Sequence, residues 1–200
     1  MKTYRSAFWL NSISFLLVAA LIVYAKFFGS SVGELFRHPP SSPSFDVGFL
    51  THTFQILCAV PPVICAFSFA LLQTFQPRRQ ENLFILYSAF LTGGFLFNEI
   101  YRIHILLGGA GIPKLMTVSV YAIFLLAYTL TFKRRIQTTP YFILLTGLGL
   151  LFLGITVDSL RLGSGGIPSL LEGIPKLFSE INIALYFWYV CYREIVRSLN

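Results

Sequence analysis

The stretch YFILLTGLGLLFLGITVDS, residues 141–159, carries no charged side chain until Asp158, next to its end. As a helix its 19 residues would extend about 28 Å at 1.5 Å per residue, close to the roughly 30 Å thickness of a bilayer's hydrocarbon core. A segment this apolar and this long reads as a membrane span rather than as a core helix of a soluble domain.

Working outward, the same reading applies to five more runs separated by polar or helix-ending breaks. The six expected spans are Tyr4–Phe27, Phe49–Phe75, Asn82–Leu107, Leu115–Phe132, Tyr141–Ser159 and Leu170–Val196. The breaks carry turn chemistry: Pro39-Pro40-Ser41-Ser42-Pro43, Gln76-Pro77, Gly108-Gly109, Pro140 and the stretch 163–168. Composition agrees, with 56% hydrophobic and 12% charged residues in 200 and a mean hydropathy of +0.73. A soluble chain of this length needs far more charge to cover its surface. The expected fold class is an all-α integral membrane protein, a single bundle of about six transmembrane helices over residues 1–200. The first run follows Lys2 and Arg5 and is long for a signal-peptide core, so it is expected to stay as an uncleaved helix.

The formal net charge is +7. In a soluble chain this would point to nucleic acid, but in a membrane protein basic loops on the cytoplasmic side explain it, so no nucleic-acid partner is expected. With the N-terminus inside, nine of the fifteen bases fall on the inner side with two acids, Glu81 and Glu194. Six bases and six acids fall on the outer side, so the balance is 9 − 2 = +7 inside and 6 − 6 = 0 outside. The expected location is the cell membrane, of the bacterial inner-membrane type, with both termini cytoplasmic. Cys58, Cys65 and Cys191 all sit inside apolar runs with no Cys-x-x-Cys spacing, so they read as small apolar packing residues.

Candidate chemistry lies where acids fall within the spans. Glu99 is eighteen residues beyond Glu81, about 27 Å along a helix, and Asp158 is seventeen beyond Tyr141, about 26 Å. Glu180 lies thirteen residues before Arg193, about 20 Å, and is the deepest of the three. An ionised group at such depth costs on the order of 2.5–3.5 kcal/mol, so it is expected to face protein or a counter-charge. Local partners are Arg102, three residues after Glu99, and Arg161, three after Asp158. Glu172, Lys176 and Glu180 form an i, i+4, i+8 stripe, and His52 and His104 belong to the same outer end. His38, in the proline-rich loop, is taken as incidental.

An acid-x-x-Arg step, a glycine turn and an Ile-Pro helix start occur twice. The first copy runs from Glu99-Ile-Tyr-Arg102 to Gly111-Ile112-Pro113-Lys114, the second from Asp158-Ser-Leu-Arg161 to Gly166-Ile167-Pro168. This pattern suggests a parallel repeat of helices 3–4 and 5–6. The alternative is shared loop chemistry, because glycine turns and prolines at helix starts need no functional reason.

Around these residues the chain resembles uncharacterised multi-pass membrane proteins common in bacteria, cyanobacteria among them. The resemblance rests on Asn98-Glu99…Arg102-Ile103-His104, Val157-Asp158 and Glu172…Lys176, over roughly residues 90–190. Asn98 stands where such proteins often carry an acid, which weakens a paired-carboxylate mechanism, and the resemblance implies no activity. A more distant likeness is to membrane hydrolases of the alkaline ceramidase type, which hold zinc with His and Asp in a seven-helix bundle. His52, His104 and Asp158 would be the only sensible ligands here. Six spans and the lack of a His-x-x-x-His on the last helix argue against it, so neither metal nor cofactor is expected.

Three functional classes remain. The first is a structural or binding protein whose outer polar cluster engages a protein partner, a second copy of the chain or a lipid. The second is a membrane hydrolase at the outer leaflet, with Glu99, Asp158 or Glu180 as base and His104 as acid–base partner; whichever class holds, Arg102, Arg161, Glu172, Lys176 and His52 are the candidate binding residues. The third is a small transporter, for which the inner halves of the spans offer few ionisable residues.

Overall fold

The computed structural model describes residues 2–28, 32–36, 47–75, 80–160 and 166–199. They form eight α-helices: α1 Lys2–Phe27, α2 Phe49–Phe75, α3 Gln80–Tyr101, α4 Ile103–Gly109, α5 Lys114–Thr131, α6 Lys133–Gln137, α7 Tyr141–Ser159 and α8 Gly166–Leu199. A single 3-10 turn, Val32–Phe36, lies between α1 and α2. No strand occurs among the described residues.

Among the described residues, five helical segments are long and apolar enough to cross a membrane: Thr3–Phe27, Phe49–Phe75, Glu81–Tyr101, Lys114–Thr131 and Tyr141–Ser159. The expected sixth span lies inside α8, which at 34 residues is long enough but is not among the sufficiently apolar ones. The reason is where its polar groups go. Ser179, Glu180, Asn182, Tyr186 and Glu194 are all buried. A helix sheltered by protein can carry side chains that lipid would not tolerate. Its lower hydropathy therefore records burial.

Two boundaries differ from the sequence reading. The third helix does not run unbroken to Leu107: Arg102 takes a left-handed conformation, φ 50° and ψ 43°, between α3 and α4. The seven-residue α4 then closes with Gly111 at φ 86°, Gly111 N–H on Gly108 O and Ile112 N–H on Leu107 O. These two bonds are those of a Schellman stop, which needs a residue at positive φ and explains the glycine. Pro113, extended at ψ 142°, then starts α5. The second difference is that the last helix begins at Gly166 and runs through Pro175. Pro175 has no N–H, so the bond the Leu171 carbonyl would receive is missing there.

The chain divides into two compact units, residues 1–57 with 142–185, and 58–141 with 186–200. In the first unit α7 packs antiparallel on α8 through small residues. A Cβ on Gly147 would come within 2.9 Å of Ile183 Cγ1 and 3.1 Å of Ser179 O. A Cβ on Gly154, seven residues later, would come within 2.7 Å of Lys176 Cγ and 3.1 Å of Glu172 O. Contacts that ascend α7 while descending α8 define the antiparallel pairing, and glycines on one face let the backbones approach closely. Helix α1 joins through a reciprocal amide pair, Asn11 Nδ2 to Asn182 Oδ1 at 3.1 Å and Asn182 Nδ2 to Asn11 Oδ1 at 3.0 Å. The 3-10 turn is tied to the start of α2 by Thr51 Oγ1, which donates to Phe36 O at 2.9 Å.

In the second unit α3 and α5 are joined by the hydroxyls of Ser88 and Tyr128, 2.6 Å apart, and by Tyr121 Oη donating to Gly94 O at 3.1 Å. The Phe84 ring stacks on Tyr128 and meets Phe132 edge-on. Thr139 and Tyr186 share a buried hydroxyl contact of 2.9 Å.

Candidate functional site

The arrangement nearest to the expected polar cluster is built on α7 and α8 in the first unit. Gly154 leaves room for the Lys176 stem to lie against α7. Asp158 is one turn further along α7, and Lys176 Nζ reaches its Oδ2 at 3.3 Å. The same ammonium lies 2.6 Å from Glu172 Oε1, one turn back on α8. One lysine thus bridges two carboxylates, leaving a formal charge of −1 on the trio. Lys176 is 18% exposed, Asp158 28% and Glu172 37%, so the ammonium is the most enclosed member.

The sequence pattern anticipates Glu172 with Lys176, because they are four residues apart on one helix. It assigns Asp158 to Arg161 rather than to Lys176, eighteen residues away. Arg161 lies outside the described residues. Glu180 is buried one turn beyond Lys176 on α8, and His52 is exposed in the first turn of α2; both belong to this unit.

Glu99, Arg102 and His104 belong to the second unit. Glu99 is half-buried at the end of α3 and accepts a hydrogen bond from Asn98 Nδ2 at 3.3 Å. The expectation that Glu99 and Arg102 share one helix face is not met. Arg102 is exposed at the left-handed break, and the three-residue spacing aligns side chains only while the helix continues. His104 follows on α4, where its backbone alone is described. Among the described residues, no three His, Cys, Asp or Glu side chains are grouped so as to hold a metal ion. A groove of about 520 Å³ along α1, lined by Arg5, Ser6, Trp9, Leu10 and Ile13, contains none of the candidate residues.

Sequence reasoning missed a second charged cluster, centred on Glu194 in the second unit. This carboxylate is only 4% exposed. Its Oε2 accepts from Arg135 Nη2 at 3.0 Å, and its Oε1 lies 3.2 Å from Arg193 Nη2 and 3.5 Å from Arg197 Nη1. Arg135 Nη2 also lies 3.0 Å from Glu81 Oε1, and Arg193 Nη1 donates to Thr138 O at 2.9 Å. Loops around α6 are thereby clamped to α3 and to the end of α8. A signal was present in Arg193-Glu194-x-x-Arg197, a lone acid among bases at the end of an apolar run. Counting those bases as topology determinants hid their role in satisfying a buried acid.

Long apolar helices, polar groups turned into protein and glycine-mediated helix contacts define an all-α membrane protein. Within that class the chain belongs to the family described as a domain of unknown function, DUF8692, whose model matches residues 13–190. No curated protein and no solved structure matches the chain.

Proposed function

We propose that this is a non-catalytic multi-pass protein of the cell membrane, both termini cytoplasmic, that binds the primary ammonium of a zwitterionic lipid headgroup at the Asp158–Lys176–Glu172 trio. The observation that carries this reading is the single ammonium shared by two carboxylates, 3.3 and 2.6 Å away. Glu172, the most exposed member, presents its carboxylate where the ammonium of a headgroup such as phosphatidylethanolamine can reach it. A general base needs a carboxylate poised to take a proton, whereas both of these are engaged with a lysine. The basic-loop rule favours a cytoplasmic start for α7, after Lys133, Arg134 and Arg135, and an outer-leaflet position for Asp158 near its end.

The test uses the full chain in nanodiscs containing phosphatidylethanolamine and phosphatidylcholine, with retained lipid read by native mass spectrometry. Wild-type protein is expected to retain phosphatidylethanolamine preferentially, and Glu172→Gln to lose that preference while keeping its thermal midpoint. Equal retention by both proteins would overturn the reading. Wild-type lipid hydrolysis that disappears in Glu172→Gln would replace it with the hydrolase alternative, and a co-purifying protein lost in the variant would replace lipid by a protein partner.

A further inference from the structure

Cys65 on α2 and Cys191 on α8 both belong to the second unit, although 126 residues separate them in sequence. Both side chains are buried, and their sulfurs lie 3.9 Å apart. Cys58, also buried, lies two turns earlier on α2. Of three thiols in apolar surroundings, two thus meet across a helix–helix contact. Rotation about each Cα–Cβ bond moves the sulfurs toward or away from one another without displacing either helix.

We propose that Cys65 and Cys191 are a site of reversible disulfide formation, a covalent clasp between α2 and α8. In closing it, both S–H bonds break and one S–S bond forms, releasing two protons and two electrons. Burial shields the thiols from water-borne reagents, so the matching oxidant is a lipid-soluble two-electron acceptor of the quinone class, which takes up both protons and both electrons and leaves as hydroquinone. A bond between residues so distant in sequence restricts the unfolded chain strongly, so the oxidised form should resist unfolding better than the reduced one.

The experiment uses the full chain in lipid vesicles, first reduced and freed of reductant, then treated with molecular iodine as the lipid-soluble probe. Iodine converts one thiol to a sulfenyl iodide, and the second thiol displaces iodide, so two thiols and one I2 give one disulfide and two HI. Remaining thiols are alkylated in acid-quenched, denatured protein and counted by mass. The expected result is loss of two of the three alkylation sites, a Cys65–Cys191 peptide, a raised thermal midpoint and full reversal by dithiothreitol. Cys58→Ser should lose both of its remaining thiols, whereas Cys65→Ser and Cys191→Ser should keep theirs. Retention of all three thiols in the wild type, a bridge involving Cys58, or a disulfide-linked dimer would overturn the proposal. Cys58→Ser keeps the test open should either partner variant fail to fold.

Discussion

The Asp158–Lys176–Glu172 trio and the cluster around Glu194 combine acids and bases in opposite proportions. In the first, one lysine serves two partly exposed carboxylates. In the second, one nearly inaccessible carboxylate is served by three arginines, one of which also holds Glu81. Solvent accounts for the difference. Water screens and hydrates the partly exposed acids, so they depend less on the lysine they share. Glu194 has little water to rely on and needs several charge-assisted donors to offset its desolvation. Burial thus sets how much each of these two clusters depends on its ion pairs, and they should respond differently to loss of a member.

The sharpest way to break this comparison is Glu194→Ala. Removal of this carboxylate takes charge-assisted hydrogen bonds from three arginines that keep some access to solvent, and a loss of about 2–3 kcal/mol is expected in reversible unfolding in detergent micelles. An unchanged unfolding midpoint would place Glu194 in the same weak class as the exposed acids. Next is Gly154→Val, which inserts side-chain atoms where a Cβ alone already meets Lys176 Cγ. Overpacking at such a contact costs about 1–3 kcal/mol, and the Lys176 ammonium should move from Asp158. Gly149→Ala is its control: a Cβ there meets nothing within 4 Å, so stability should hold or rise. A smaller effect, about 1 kcal/mol or less, is expected from Lys176→Met, because Asp158 and Glu172 keep access to solvent. Should it equal the Glu194→Ala loss, the link between burial and dependence on ion pairs fails. Smallest is Arg197→Ala, within a few tenths of a kcal/mol, since Arg197 is 56% exposed and Glu194 retains Arg135 and Arg193.

Particular residues show why some features were legible and others were not. Glu172 and Lys176 are one helical turn apart, so their pairing follows from periodicity alone. Asp158 has two basic candidates, Arg161 nearby in the chain and Lys176 across the loop, and only the α7–α8 packing over Gly154 brings the second within 3.3 Å. Arg102 looks like a helix-face partner of Glu99 until its left-handed backbone ends the helix, a conformation uncommon for any residue other than glycine. Cys65 and Cys191 read singly as small apolar residues, and their contact exists only because α2 and α8 meet there.

The sequence by itself determined that this chain is helical and belongs to a membrane. The length of an apolar run and the spacing of its breaks are properties of the chain alone, and lipid leaves a helix as the natural solution for them. It also determined which acids would lie along the helices. Tertiary structure alone decided that Asp158 met Lys176 and Glu194 met Arg135, why α8 can be less apolar than its neighbours, and that two thiols 126 residues apart touch. Such outcomes depend on which helix faces meet and on how much water each group keeps. Local pattern cannot encode either one.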